Sequence, residues 1–291
     1  MEGTRIKNIV ILILLLLNGF LLFLVGGRWA EDTHSHETAR SSAIEIIRAD
    51  GVALAEDAVP GDMKLTHMQA VRDTVWEKEL AAGLLGGAVS VEARGGEVYR
   101  YQNTNGWIQF HSTGEFAAEL EPAAFSLGEQ TAAQHGTALL ERMGFECRLL
   151  NDTTQGGQGS ITVRQLYKGV PVLGCQATLV YRDGGLAGIV DARRMPGVPQ
   201  HKAGENSLSV ASALMRLYNG LKELGDIYTR IDSITPAYTM SVARSGTADL
   251  TPVWYVQTDT GAYQMDTQTG QISRFGIAAV AADTQMVVLE E

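Results

Sequence analysis

The sequence predicts an α+β fold: a single N-terminal transmembrane helix followed by two or three similar helix-plus-antiparallel-sheet modules. Three observations support this prediction. The chain begins with a long apolar stretch, the rest shows helical periodicity followed by alternating runs, and this order of elements recurs. With 291 residues and a hydrophobic content of 45%, the chain is long enough and apolar enough to form packed cores.

The first element is the stretch Ile9–Val25, in which every residue is apolar except Asn18 and Gly19. Its 17 residues form a helix of roughly 25 Å, which is close to the thickness of the hydrocarbon core of a bilayer. Two further glycines extend the stretch. We therefore predict a transmembrane helix over residues 9–28.

The flanking charges predict the orientation of this helix. Arg5 and Lys7 precede it, whereas Arg28 is followed by acidic residues, so the excess of positive charge lies on the N-terminal side. Positive flanks stay in the cytoplasm. Residues 1–8 are thus predicted to be a short cytoplasmic N-terminus, the bulk of the chain is predicted to be extracytoplasmic, and Trp29 is predicted to lie at the outer membrane interface, which favours amphipathic rings.

A cleaved signal peptide is the alternative interpretation, because it also combines a basic start with an apolar stretch. This apolar stretch is longer than the usual signal-peptide core. Arg28 and Trp29 before Ala30 also leave no pair of small residues at a cleavage site. We therefore favour an uncleaved anchor in the cell membrane.

Asn18 and Gly19 are the candidate partner contacts within the transmembrane helix. An amide in hydrocarbon lacks water partners and stabilises a helix contact by roughly 0.6–2 kcal/mol when it finds one, and glycine lets a second backbone approach closely. Two interpretations remain open. The pair either contacts another membrane protein or is tolerated within a strongly apolar span.

Residues 29–125 are predicted to form a juxtamembrane helix and the first module. The helix carries apolar residues at helical spacing and stops at Gly51. Alternating runs then surround Asn105-Gly106, a favoured hairpin turn. The apolar helix residues are Ala39, Ala43, Ile46 and Ile47.

Residues 126–200 are predicted to form the second module. Ser126 and Glu129 have the spacing of a capping box, and the helix after them is predicted to run for about four turns and to stop at Gly144. Three strands follow, the last two joined at Asp183-Gly184. The predicted apolar face of the helix contains Ala132, Gly136, Leu139, Leu140 and Met143.

Residues 201–280 are predicted to form the third module, and residues 281–291 a C-terminal tail. Ser207 is predicted to cap a helix, and three strands follow. The last two strands form a hairpin that turns at Asp259-Thr260-Gly261 and ends in a second turn at Gly270. The predicted apolar face of the helix contains Val210, Leu214, Leu217 and Leu221.

Charge and motifs limit the functional classes. A net charge of −10 offers no basic surface for nucleic acid, and short motifs for nucleophilic, zinc or phosphate chemistry are absent from the sequence. We therefore predict a non-enzymatic protein without a metal or cofactor. The pair His34 and His36, with Glu37, is a metal candidate that solvation explains better, and the other histidines are scattered singly.

Other conspicuous residues have simple structural interpretations. The glycine-rich run 155–160 predicts a mobile loop, and Asp266 is predicted to bond turn backbone N–H groups. The sequence leaves open whether Cys147 and Cys175 form a disulfide. The aromatic residues could form an exposed binding face, but alternation makes half of their positions core residues of a one-sided sheet, so we favour the core interpretation: Tyr99, Tyr101, Trp107, Trp254 and Tyr255.

The order of these features resembles the YycI proteins of low-GC Gram-positive bacteria, which are relatives of the YycH regulators. The resemblance rests on a basic start, one span containing "LLLLNGFLLFL", and an exterior α+β part ending in "TPVWYVQTDTGAYQMDTQTGQI". It covers roughly residues 5–27 and 126–275, whereas 50–125 fit in element order only. The final motif is also similar to PepSY domains.

This resemblance implies an accessory regulator of the WalK/WalR (also called YycG/YycF) two-component system, which governs cell-wall metabolism. The implied partners are a WalK-like sensor histidine kinase and a YycH-like protein, which the span contacts in the membrane. A PepSY-type binding or peptidase-inhibiting module tethered by a signal anchor is the alternative. A membrane-bound hydrolase of unfamiliar type is the third hypothesis.

Overall fold

The structure is a computed structural model that describes residues 37–61, 65–202, 208–243 and 246–275. The predicted transmembrane helix, with Asn18, Gly19 and Trp29, lies outside the described residues. Within the described residues, no helix has the length and apolar character needed to cross a membrane.

The described residues form a mixed α+β fold with four α-helices, one short 3₁₀ helix and fifteen strands. In chain order they are α1 (37–49), β1 (Ala53–Leu54), β2 (Met68–Val71), α2 (Thr74–Leu85), β3 (Ser90–Ala93), β4 (Tyr99–Asn103), β5 (Gly106–Phe110), β6 (Glu115–Leu120), the 3₁₀ helix (Pro122–Phe125), α3 (Ala132–Arg142), β7 (Cys147–Asp152), β8 (Gly159–Tyr167), β9 (Val170–Arg182), β10 (Gly185–Arg193), β11 (Gln200–His201), α4 (Val210–Glu223), β12 (Arg230–Val242), β13 (Thr247–Thr258), β14 (Ala262–Asp266) and β15 (Ile272–Arg274).

These elements divide into two compact units. Within the described residues, the first unit contains 37–61, 208–233 and 257–261, and the second unit contains the rest. The division into three consecutive modules at residues 125/126 and 200/201 remains a prediction.

A large sheet forms most of the second unit. Its main path runs β11-β2-β13-β12-β9-β10-β6-β5-β4-β3, and β8, β7, β14 and β15 branch from it. The hairpin and meander pairings are antiparallel, but β9 and β12 pair in parallel at Tyr238↔Val172. The long strand β9 joins both halves of the sheet because it pairs with β8, β10 and β12.

The main core of the second unit lies between this sheet and helices α2 and α3. Side chains alternate along each strand, so directly opposed residues of neighbouring strands share one face. The row Tyr101, Ile108, Ala118 and Ile189 is opposed across four strands and is fully buried. The same face packs against Leu84 of α2 and the apolar face of α3.

The predicted apolar face of α3 is confirmed, but its predicted N-terminus is wrong. The capping box consists of Thr131 and Gln134 rather than Ser126 and Glu129, and the helix has 11 residues, about three turns. Ser126 instead pairs with Gly185, which keeps the chain extended at that point. The helix can therefore start only after the following turn.

The strand boundaries of the second predicted module also differ from the prediction. Lys168-Gly169 has positive φ at both residues, so it forms a hairpin turn that separates β8 from β9, although residues 161–172 alternate in sequence like one continuous strand. Strand β7 was not predicted. Five of its six residues are exposed, so it lacks the alternation on which strand prediction depends.

The first unit contains helices α1 and α4. The predicted apolar face of α4 is buried as expected, but the N-cap is Ser209, whereas the predicted Ser207 lies outside the described residues. The buried face of α1 differs from the predicted one, because Ile44 lies inside and Ile46 is exposed.

The C-terminal hairpin is confirmed. Thr258 accepts hydrogen bonds from the backbone N–H groups of Thr260 and Gly261, which fixes the first turn. Asp266 accepts from the N–H groups of Gln268 (2.8 Å) and Thr269 (2.9 Å), which fixes the second. These Asx and Ser/Thr bonds replace the missing strand partners of the turn backbone.

Candidate partner-binding site

The candidate site is a pocket of the second unit, where strand β2 leads into helix α2. Its volume is about 270 Å³, just below the usual range for small-molecule sites. The lining residues come from β2, the first turn of α2 and the segment that ends in β11: Gln69, Val71, Asp73, Trp76, Val198, Gln200, His201 and Lys202.

Backbone pairing holds the pocket walls in place. Strand β2 pairs with β13 on one side and with the two-residue strand β11 on the other, where Gln200 opposes Gln69. Just before β11 the chain passes against β2 so closely that a Cβ on Gly197 would lie 1.9 Å from the Val71 carbonyl oxygen. Only glycine fits there, and Val198 is thereby fixed beside Val71.

Three valines at this site are strongly exposed. Val71, Val75 and Val198 are 60%, 69% and 63% exposed, and two of them line the pocket directly. Val75 precedes the third apolar lining residue, Trp76. Single exposed apolar residues are ordinary, but a group of them around a pocket marks an interaction surface.

The first turn of α2 is firmly capped. Asp73 is the N-cap, and its Oδ1 accepts hydrogen bonds from the N–H groups of Val75 (2.9 Å) and Trp76 (3.1 Å). A carboxylate at this position also interacts favourably with the helix dipole. The cap therefore fixes the backbone of the two apolar residues at the pocket.

A buried ion pair lies behind the pocket. The side chains of Arg72 and Glu77 are 5% and 3% exposed, and they form two hydrogen bonds of 2.8 and 2.9 Å. Burial lowers the pKa of Arg72, but the hydrogen bond and charge of Glu77 outweigh burial, so its pKa is raised overall. Arg72 also donates to the carbonyl of Glu97 (2.6 Å).

A second buried cation supports Trp76. The guanidinium of Arg194 lies 4.2 Å from the centre of the Trp76 ring and 5.5 Å from that of Phe110, and the residue is only 3% exposed. Burial lowers the pKa of Arg194 to about 10, with the charge of Glu77 acting in the opposite direction. The ring of Trp76 thus has a charged, buried support on one side and the pocket on another.

Polar contacts brace the β2 and β11 wall. Asp249 accepts hydrogen bonds from Lys202 (2.8 Å) and Gln69 (3.2 Å), and the Nε2 of His67 lies 3.9 Å away. The hydrogen bond from Lys202 is the largest influence that holds the pKa of Asp249 below its ordinary value. The carboxylate of Asp249, which is opposed to Gln69 on the neighbouring strand, therefore orients the side chains of Lys202 and Gln69.

The arrangement is suited to binding a protein segment. It offers an apolar rim of valines and a tryptophan edge, with polar amide groups from Gln69 and Gln200 between them. The capped helix, the buried ion pair and the Asp249 contacts hold these groups in place before any partner arrives. Preorganised apolar and aromatic groups are the kind that anchor protein interfaces.

The predicted site residues divide between described and other residues. Asn18, Gly19, Trp29, His34 and His36 lie outside the described residues. Across the described ranges, no group of three metal-ligating side chains occurs.

Most of the other candidate residues contact neighbouring side chains in ways that explain them structurally. Glu37 pairs with Arg40, His111 contacts Gln109 at 3.0 Å, and His135 is buried beside Tyr181. Of the scattered histidines, His201 reaches the pocket. Residues 155–158 of the glycine-rich run lie in the β7–β8 connection, where Gln155 pairs with Gln158, and residues 159–160 begin β8.

The prediction that the aromatic residues lie in the core is confirmed for two of the five. Tyr101 and Trp254 are core residues, whereas Tyr99, Trp107 and Tyr255 are half-buried. Cys147 and Cys175 are both free thiols, and they are half-buried and buried, respectively.

Sequence analysis missed the residues that form the site. Arg72, Trp76 and Glu77 lie in a stretch whose apolar residues follow neither a helical nor a strand period, and no motif surrounds Arg194. A signal was present in "RDTVWEKEL", where Asp73 has the N-cap chemistry that starts a helix. The pairing of Glu77 with Arg72 and the stacking of Arg194 on Trp76 depend on tertiary contacts that spacing does not reveal.

No family model matches the chain, and no curated protein matches it. Among solved structures, it is similar to an uncharacterized protein from Eubacterium rectale ATCC 33656, with a TM-score of 0.44, 15% identity and coverage of 73% of this chain and 86% of that one.

It is also similar to the Bacillus megaterium YpeB C-terminal domain, with a TM-score of 0.36, 11% identity and coverage of 70% of this chain and 98% of that one. Neither similarity is high enough to carry an argument about function.

Proposed function

We propose that this protein is a non-enzymatic, membrane-anchored accessory regulator of a two-component sensor histidine kinase. In this proposal residues 9–28 form the transmembrane anchor, and the exterior part consists of two or three YycI-like helix-and-sheet modules. The kinase is contacted by the anchor in the membrane and by the exterior part outside it. The proposed setting is cell-wall homeostasis in a Gram-positive bacterium.

The observation that supports this proposal best is the exposed valine rim around the pocket. Val71, Val75 and Val198 remain in water although the elements that carry them are rigidly held. Exposed apolar side chains on a rigid base favour a protein partner that covers them. An accessory regulator needs such a surface in addition to its membrane span.

The test replaces the valine rim. Val71→Thr, Val75→Thr and Val198→Thr together keep the side-chain shape and remove apolar surface, so we expect co-purification of the kinase from membranes of the native bacterium to decrease at least tenfold. The matched control is Val91→Thr with Val190→Thr, at two exposed valines of β3 and β10. Equal recovery of the kinase with both variants would contradict the proposed exterior contact.

The same experiment separates the alternative function. A PepSY-type module that binds a ligand or inhibits a peptidase would recover a soluble or wall-associated partner through the valine rim, and no kinase. Mass spectrometry of the co-purified proteins distinguishes these outcomes.

A further inference from the structure

Another open concavity of the second unit lies at the end of the sheet near the β4–β5 turn, and its floor is on the sheet face opposite to helices α2 and α3. Its volume is about 590 Å³, within the range of ligand sites. Nine residues of β3 to β6 and their connections line it: Ser90, Gln102, Asn103, Thr104, Gly106, Trp107, Glu119, Leu120 and Glu121.

The floor of this groove is one cross-strand row. Gln102, Trp107 and Glu119 are directly opposed on β4, β5 and β6, so their side chains lie next to one another on the outer face. Trp107 donates a hydrogen bond from Nε1 to the Oε2 of Glu119 (3.1 Å). On one side its ring is covered by Arg100, whose guanidinium lies 3.9 Å from the ring centre. The tryptophan is therefore fixed in orientation.

The rim of the groove is equally well held. The side-chain amides of Asn103 and Asn105 both donate to the carbonyl of Leu85, at 3.2 and 2.9 Å, which ties the β4–β5 turn to the end of α2. Gly106 has φ +136°, and a Cβ there would lie 2.3 Å from the Glu119 carbonyl oxygen. The turn thus keeps a fixed shape against β6.

The remaining polar groups of the groove are free to meet a ligand. Within the described residues, the side chains of Gln102, Thr104 and Glu121 form no hydrogen bond or ion pair, and Glu119 uses only one of its two oxygens. They offer one amide, one hydroxyl and several carboxylate oxygens, which accept more hydrogen bonds than they donate. A fitting ligand must therefore bring hydrogen-bond donors.

Charge and shape narrow the ligand class. The nine lining residues include two carboxylates and no cation, and the nearby Arg100 is engaged by Trp107 and Gln109, so the groove does not select anions. A flat indole beside acceptors and donors matches a ligand that has an apolar face and a rim of hydroxyl groups. We propose that this groove binds a neutral saccharide, with Trp107 against a sugar face and Gln102, Thr104 and Glu121 on its hydroxyl groups.

The test uses the full-length protein in phosphatidylcholine nanodiscs, because sugar-headed detergents would compete. Cellotetraose and chitotetraose are titrated at millimolar concentration by calorimetry. We expect the unchanged protein to bind these saccharides. The double variant Gln102→Ala with Glu121→Ala should bind them with about tenfold lower affinity, because each lost hydrogen bond lowers the affinity several-fold. Trp107→Ala should abolish binding.

Because Gln102 and Glu121 are exposed, the double variant should fold like the unchanged protein. Its matched control is Glu129→Ala with Gln130→Ala, which changes two exposed residues of a turn. A tetrapeptide amide with two arginines tests the competing cationic ligand. Binding of this peptide alone, weakened by salt, would overturn the proposal, as would no saccharide binding by the intact protein or an equal loss in the control. The saccharide site does not depend on the proposed kinase partner.

Discussion

Replacing Glu77 by glutamine should destabilise the protein strongly. Glutamine has nearly the shape of glutamate, so the change removes one charge from a pair whose side chains are 5% and 3% exposed. Removing one partner of a buried ion pair typically costs about 3–5 kcal/mol, because the other charge stays buried without compensation. Here Glu77 also acts on the buried Arg194, so the upper half of that range is expected.

The assay is urea unfolding followed by tryptophan fluorescence, with the free energy of unfolding extrapolated to water. The matched control is Glu92→Gln in the exposed pair with Arg94, which joins side chains 49% and 43% exposed at 3.1 Å. Exposed pairs contribute at most about 1 kcal/mol. A cost below about 1 kcal/mol for Glu77→Gln would refute the argument that this pair and Arg194 depend on one carboxylate.

Three further predictions concern packing, pH and thiols. In urea unfolding, Gly136→Ala should destabilise the protein by about 1–3 kcal/mol, because the new Cβ on α3 would lie 2.6 Å from a side-chain carbon of the sheet. The control Gly83→Ala in α2 should be neutral or stabilising, because the nearest atom to its new Cβ is 3.8 Å away. Burial, and secondarily the charge of Arg142, lowers the pKa of His135 below its ordinary 6.5. The contribution of the neutral His135 to the free energy of unfolding should therefore be fully present above about pH 6.5 and decrease as the pH falls below it, and His135→Gln should flatten this slope. Burial raises the pKa of Cys147 to about 11 and that of Cys175 to about 12, so iodoacetamide at about pH 8 should label Cys147 slowly and Cys175 only after unfolding, as mass spectrometry would show. A fast-labelling Cys175, an unchanged pH slope or an undisturbed Gly136→Ala variant would each contradict the corresponding packing.

The apolar faces of α3 and α4 were predictable from the sequence because burial imposes a period on them, whereas that of α1 was predicted only in part. Every predicted core residue of α3 and α4 is buried, and the Asp266 turn forms as expected. Helix ends were less predictable. Both Ser126 and Thr131 have cap chemistry, and the choice between them depends on the pairing of Ser126 with Gly185, which lies far along the chain.

The candidate site could not be predicted for a related reason. Val71 and Val198 line one pocket because the chain at Gly197 passes directly against β2. Arg194 lies against Trp76, which is more than a hundred residues away in sequence. An exposed valine and a buried arginine also contradict the usual preferences of their residue types, so composition points away from both. Strand β7 escaped prediction because solvent covers most of it and leaves no pattern.

The most direct test of the proposed regulator exchanges residues 9–25 for an unrelated apolar helix and compares this variant with the intact protein in detergent pull-downs from the native bacterium. The account predicts that the intact protein recovers a histidine kinase and that the exchanged variant loses it, because the span itself makes a contact. Recovery of the same partner by both proteins, or of a soluble partner without a kinase, would contradict the proposed regulator function. The span would then serve only as a membrane anchor.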